Sequence, residues 1–194
     1  MHKLQDINLS VHINPQLLRQ LWAYTTAAPG EISGIGEVDV HEHHLTIQQP
    51  LHILRQECSM GSTELDLDAL ADLITDYHEH GKNHEALRFW FHSHGEFGAF
   101  FSSTDDATIK QLTATLPVLV AGVVNVAGEA SWRIIYHGIS VDWSDRIPGP
   151  KPSAAEIDAV RPIIAERVTT SRFSWYWPET LHAKRWDYRG HRRW

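Results

Sequence analysis

Residues 91–106 read FHSHGEFGAFFSSTDD, which brings two histidines and two adjacent aspartates within one short stretch. Along an extended strand residues i and i+2 face the same side. His92 and His94 can therefore offer two imidazoles to one cation while Ser93 faces away. Asp105 falls in the first turn of a helix expected over 102–114, where the positive end of the helix dipole helps to keep a carboxylate ionised. Two histidines and an aspartate can hold a tetrahedral cation and leave the fourth position open to water, as catalytic zinc sites do. Each part also has a plainer reading. His-x-His arises by chance in a chain with 14 histidines, and an aspartate in a first helical turn is ordinarily a cap.

The elements that must position these residues can be read from the pattern. INLSVHI (7–13) alternates like a short strand. NPQLLRQLWAYTTAA follows, with Asn14 as N-cap and Pro15 at the first helical position. EISGIGEVDV (31–40) and LTIQQPLHIL (45–54) flank the polar turn HEHH and predict a β-hairpin; glycines 34 and 36 inside its first strand suggest a bulge or a close approach. Residues 64–80 carry Leu67, Leu70, Leu73, Ile74 and Tyr77 at helical spacing and are closed by Gly81. LRFWFHSH (87–94) predicts an aromatic strand. The helix over 102–114 has Ser103 and Asp106 as its expected capping box. Strands PVLVAGVVNVAG and ASWRIIYHG then turn at Gly128-Glu129. IPGPKP (147–152) predicts a linker, followed by a helix at about 153–168. The order α-β-β-α-β-α-β-β is an α/β arrangement with a mixed sheet.

At 194 residues the chain can bury one substantial core, and its 42% hydrophobic content is that of a globular protein. The formal net charge of −7 is uneven: residues 1–168 hold 11 Lys/Arg against 22 Asp/Glu, and residues 169–194 hold six against two. The body, at −11, would repel phosphate, which argues against non-specific nucleic-acid binding. A single cysteine, Cys58, rules out an intrachain disulfide and Cys-rich zinc sites, and we read it as structural. No signal peptide or membrane-spanning run is legible, so a soluble protein of a reducing cytoplasm is the expectation.

The spacing of the whole set narrows the choice. His92-x-His94, seven residues, Ser102, two residues, Asp105 resembles the H-x-H-x7-S-x-x-D signature of the JAMM (MPN-plus, JAB domain) zinc metallopeptidases. Glu31, in GEISGIGEV, occupies the place of that family's upstream glutamate at the start of a hairpin strand. One departure is Gly95, where the family commonly has proline. The resemblance covers roughly residues 5–138 and is most specific at Glu31 and over 88–109. It implies a curved mixed sheet flanked by helices, layered like a cytidine deaminase, over residues 1–146. The linker 147–152 and a helical, Trp/Arg-rich extension over 153–194 would follow it.

The resemblance also implies roles. His92, His94 and Asp105 would hold one zinc ion per chain, Glu31 would be the general base, and Ser102 would donate to the oxyanion. Active members cut peptide or isopeptide bonds that follow the C-terminal tail of ubiquitin or a ubiquitin-like protein, so such a protein or its conjugate is the implied partner. A narrow groove is expected, with loop 95–101 and the edge 57–63 as walls. Compact members of this kind resemble proteases of bacterial ubiquitin-like conjugation systems, some antiviral. The rivals are a non-catalytic MPN scaffold, disfavoured because all the metal residues are kept, and a zinc deaminase, disfavoured by the missing cysteine ligands.

Other features have plainer roles. The histidines at 41, 43 and 44 are expected in a solvated turn, and His78, His80 and His84 on the surface near a helix C-terminus. Trp175, Trp177, Trp186 and Trp194 share the tail 171–194 with six basic residues, and four tryptophans are expected to pack against the body or a partner.

Overall fold

A computed structural model describes residues 9–59, 63–143 and 149–170. In chain order it contains β1 (Ser10–Ile13), α1 (Pro15–Ala27), β2 (Ser33–His41), β3 (His44–His52), β4 (Gln56–Cys58) and β5 (Thr63–Leu65). Next come α2 (Leu67–Glu79), β6 (Phe89–Ser93), α3 (Ser103–Leu112), β7 (Val118–Val124), β8 (Ala130–Tyr136) and β9 (Ile139–Trp143). The last elements are α4 (Ala154–Arg167) and β10 (Val168–Thr170). Seven strands form a mixed sheet in the order β1-β3-β2-β6-β7-β8-β9, and β10-β4-β5 form a small second sheet. Within the large sheet β1 with β3 and β6 with β7 run parallel, and the other pairs antiparallel.

The central strands β6 and β7 are buried along their whole length. Their alternation sorts side chains between two cores. Phe89 and Phe91 join Leu17, Leu21 and Trp22 of α1 and Val160 and Ile164 of α4. Trp90 faces the other way, into a cluster with Tyr77 of α2 and Ile109 of α3. Continuing the alternation puts His92 on the α3 side. Burying one aromatic or aliphatic side chain of this size contributes about 1.5–3 kcal/mol, so the β6 alternation is fixed by the rings at 89–91 before any metal chemistry enters.

The expected α/β architecture, a mixed sheet flanked by helices, is present. Several elements differ from the sequence reading. The helix expected over 64–80 begins at Leu67, because the Asp66 side chain accepts from the N–H groups of Asp68 and Ala69 and residues 63–65 pair with β4 instead. The capping box of α3 is Ser102 with Asp105, one position earlier than Ser103 with Asp106, since Ser102 is still extended and Ser103 already helical. Strand β9 was missed: His137 (φ 48°) and Gly138 (φ 82°) turn the chain back so that β9 pairs with β8. The three residues of β10 fall where the sequence predicts a helix end and tail, and β4 and β5 form where it predicts only an edge over 57–63.

Helix α4 starts at a Ser153–Glu156 capping box. Before it, Gly149 donates its N–H to the Gly128 carbonyl at 2.8 Å. A Cβ at Gly149 would lie 1.9 Å from the Trp22 ring, so this stretch lies directly on α1. Residues 147–148 of the expected linker and the tail 171–194 lie outside the described residues. Among the described residues no helix is long and apolar enough to cross a membrane.

Candidate metal centre

The centre forms where β6 ends and α3 begins. His92, His94 and Asp105 are all buried, at 3%, 7% and 6% exposure, and their ligand atoms lie within 4.8 Å of one another. His92 Nε2 is 3.1 Å from Asp105 Oδ1, and His94 Nε2 is 3.8 Å from Asp105 Oδ2. A tetrahedral shell with bonds of ~2.1 Å has edges of about 3.4 Å, and the separations of 3.1 and 3.8 Å bracket that value.

The donor atoms suit a cation. His94 Nδ1 donates to the Gly98 carbonyl at 2.9 Å, which leaves Nε2 as the ring atom turned toward Asp105. Burial drives His92 down to about 4, against the opposing pull of Asp105 and with a smaller push from His94. His92 is therefore neutral near pH 7, and two imidazole nitrogens beside a carboxyl group are a donor set that fits a divalent ion.

Asp105 is held by the cap of its own helix: the Ser102 N–H donates to Oδ2 at 2.6 Å, and the Asp105 N–H donates to Ser102 Oγ at 3.3 Å. Ser102 accepts that bond and keeps its own hydroxyl proton for a further acceptor.

Glu31 precedes β2 and is 7% exposed. Ser93, the residue between the two histidines, ties this segment to β6: its N–H donates to the Ile32 carbonyl at 2.8 Å, and its Oγ accepts from the Ile32 N–H at 3.0 Å. The Glu31 N–H donates to the Ser59 carbonyl at 2.9 Å. A Cβ at Gly30 would fall 2.4 Å from that same carbonyl oxygen, so only glycine lets the chain pass so close. Burial first, and the nearby Asp105 carboxylate second, push the Glu31 carboxyl up to about 7. A carboxyl balanced there can take and return a proton near neutrality.

All five expected site residues, Glu31, His92, His94, Ser102 and Asp105, thus gather around one end of β6. Among the described residues the other histidines do not join them. Residues 41, 43, 44, 78, 80 and 84 are exposed, and Cys58 is buried at 1% exposure.

Three supporting residues were not anticipated. The Trp90 ring stacks on His92, with centroids 5.0 Å apart and planes at 21°. Its Nε1–H donates to Ser33 Oγ at 3.0 Å, and Ser33 Oγ donates to the Phe91 carbonyl. Buried Gln56 brackets the Ser33 backbone, accepting its N–H at 2.8 Å and donating to its carbonyl at 2.9 Å. His92 Nδ1 is buried with no hydrogen-bond partner among the described residues, so ring packing and not a hydrogen bond orients this imidazole. The i, i+2 run Trp90-His92-His94 was the available sequence signal for Trp90; Ser33 and Gln56 act across strands and left none.

The loop 95–101 explains the glycine at 95. Gly95 sits at φ 54°, a value closed to proline. The Gly95 carbonyl accepts from the Val126 N–H at 3.0 Å, the Phe97 carbonyl from Asn125 Nδ2 at 2.9 Å, and the Ala99 carbonyl from Ser131 Oγ at 2.6 Å. Phe100 meets His94 edge-on, with centroids 5.0 Å apart.

Comparison with known proteins adds to this geometry. The family model described as prokaryotic homologs of the JAB domain matches residues 14–135, well over half of the chain. No curated protein matches. Among solved structures, the solution structure of protein DSY2949 from Desulfitobacterium hafniense aligns with a TM-score of 0.52 at 17% identity, covering 69% of this chain and 90% of that one. At that identity the likeness concerns the fold alone.

Proposed function

The chain belongs to the prokaryotic JAB-domain family, and from that premise we propose that it is a zinc-dependent peptidase. In this reading it cleaves the peptide or isopeptide bond that follows the C-terminal tail of a ubiquitin-like protein. The observation that carries the proposal is the convergence of a buried His92–His94–Asp105 set with a buried Glu31 whose carboxyl is held near 7.

His92, His94 and Asp105 would hold the metal. Zinc bound there would supply a Lewis acid for the scissile carbonyl and would acidify a water at neutral pH. Glu31 takes the water's proton and returns it to the leaving amine; Asp105 is committed both to the metal and to the α3 cap, so Glu31 is the free carboxylate for that task. The Ser102 hydroxyl, anchored as an acceptor from the Asp105 N–H, turns its proton to the developing oxyanion; one such donor is worth roughly 100-fold or more in rate. Loop 95–101, tied to His94 through Gly98, and the end of β4, tied to Glu31 through Ser59, would flank an extended substrate tail.

Metal analysis of the purified protein should give about one zinc per chain, because the described residues hold one complete ligand set. Zinc-loaded protein should then release the extension from at least one of a panel of ubiquitin-like proteins lengthened at the C-terminus, and Glu31→Gln should stop the reaction while keeping the zinc. Cleavage that survives both Glu31→Gln and metal removal would refute the assignment.

A further inference from the structure

Arg133 of β8 touches the chain on either side of the Ser102–Asp105 segment. Phe101 immediately precedes Ser102, and Asp106 immediately follows Asp105. The Arg133 guanidinium lies over the Phe101 ring, 4.4 Å from its centroid, and Nη1 donates to Asp106 Oδ1 at 2.5 Å. The other edge of the group forks onto Asp142 of β9, Nε to Oδ1 at 2.6 Å and Nη2 to Oδ2 at 3.4 Å. Asp142 stands opposite Arg133 in the β8–β9 register, so the fork is tied to the sheet and sets the plane of the guanidinium. Because the group is rigid and planar, that one fixed edge also settles which face meets Phe101 and where Nη1 points.

Its neighbours on the same face of β8 extend the hold. Ser131, two residues earlier, donates to the Ala99 carbonyl at 2.6 Å. Ile135, two residues later, shares a buried cluster with Ile109 of α3. Alternate residues of one strand thus meet the loop before the segment, the segment's two flanks and the helix after it. The Arg133 side chain is only 19% exposed, but its partners Asp106 and Asp142 are 59% and 65% exposed. Ion pairs so open to water add little to overall stability. What they add is direction, because they limit where residues 101 and 106 can lie.

We infer that Arg133 is a positioning residue for the centre: its guanidinium clamps Phe101 and Asp106, and so fixes Ser102 and Asp105 between them against the sheet. The clamp holds the segment whatever reaction the centre performs. Only its consequence, that the metal and the oxyanion donor depend on Arg133, rests on the proposed function.

The test uses the full chain and compares Arg133→Met with Arg161→Met, which breaks an ion pair to Asp158 within α4. In metal-free protein Arg133→Met should speed amide exchange severalfold at residues 102, 105 and 106, whose N–H groups close the helix start. Exchange at 109–112 should stay within about twofold, because Ile109 keeps its buried cluster. Zinc affinity in a chelator competition should fall roughly 10-fold, the lower end of what losing an outer partner costs, and the visible bands of the cobalt-loaded protein should shift. Arg161→Met should change none of these. Arg133→Lys keeps the charge without the planar fork and should recover only part of the loss. Asp106→Asn removes just the exposed end of the clamp, so it serves if Arg133→Met does not fold; it should speed exchange at the same three amides, and the double variant should be no worse than the larger single effect. Exchange that is unchanged or rises evenly along α3, zinc affinity and cobalt bands like the parent's, or a lysine that works as well as arginine would overturn the inference. A parent protein that took up no zinc would refute the proposed function, while the exchange comparison would still decide the clamp.

Discussion

Glu31→Gln should make the metal-free protein more stable, by an amount that depends on pH. The Glu31 carboxyl rises from its ordinary 4.5 to about 7, chiefly because burial penalises its charged form. The folded state therefore binds this proton more tightly than the unfolded chain does. A raised carboxyl contributes its full stability below 4.5, loses it progressively as pH rises from 4.5 to 7, and leaves the fold destabilised above that range. At 1.36 kcal/mol per unit, the cost at about pH 8 is up to roughly 3 kcal/mol. Glutamine keeps the shape and removes the charge, so the variant should recover most of this cost and melt roughly 6–12 °C higher for a chain of this size. At about pH 4.5 and below, the two proteins should converge. Chelator-treated samples in urea titrations across that pH range measure the difference, and thermal melts check it. Zinc added back should narrow the gap, because a cation beside Glu31 removes part of the reason its charge is unwelcome. A variant that is less stable than the parent at high pH, or whose advantage does not change with pH, would show that Glu31 is not a buried charge, and its assignment as a proton carrier would go with it.

Three further outcomes are expected. Trp90→Leu, which removes the ring stacked on His92, should weaken zinc binding in a chelator competition by roughly 10-fold or more, the usual cost of losing an orienting partner, while Trp90→Phe should keep most of the affinity; equal affinities for Leu and Trp at 90 would refute the positioning role. Ser102→Gly should cost only a few tenths of a kcal/mol in cap energy and yet lower cleavage by roughly 100-fold, whereas unchanged cleavage would leave Ser102 a cap only. Gly95→Pro, although it installs the residue common in the resembled family, should destabilise the fold by more than about 1 kcal/mol in denaturant melts, since φ 54° is closed to proline; a neutral result would mean the loop has an alternative course.

What could be read from the sequence divides along a physical line. His92, His94, Ser102 and Asp105 lie within one strand, loop and helix start, so their spacing is itself a geometric statement and was legible. The helix start at Asn14-Pro15 and the hairpin of β2 and β3 were legible for the same local reason. Glu31 was reached through the family resemblance and not through its own surroundings, because what makes it special is made by others: the Ser93 bridge to Ile32 and the Ser59 carbonyl that crowds Gly30. β9 and β10 were missed because short strands at the margins of sheets carry little apolar periodicity, and pairing, not propensity, forms them. The one-residue slip in the α3 cap had the same root. Ser102 and Ser103 each have an aspartate three residues on, so spacing alone does not choose between them.

That slip carries a mechanistic point. With Ser103 and Asp106 as the capping pair, Asp106 would be turned back on the helix start and Asp105 left without its cap bonds. With Ser102 as cap, one carboxylate serves two masters: Oδ2 closes the box at 2.6 Å and Oδ1 faces His92 at 3.1 Å. The α3 start and the metal set are therefore one mechanical unit. Asp106, one residue on, is exposed and pairs instead with Arg133, which also binds Asp142 of β9. Adjacent aspartates thus divide the work, the first joining the helix start to the two histidines and the second joining helix to the sheet edge. Asp105→Asn keeps an oxygen that can close the cap and loses the charge the cation needs, so it separates the two duties that the native carboxylate combines.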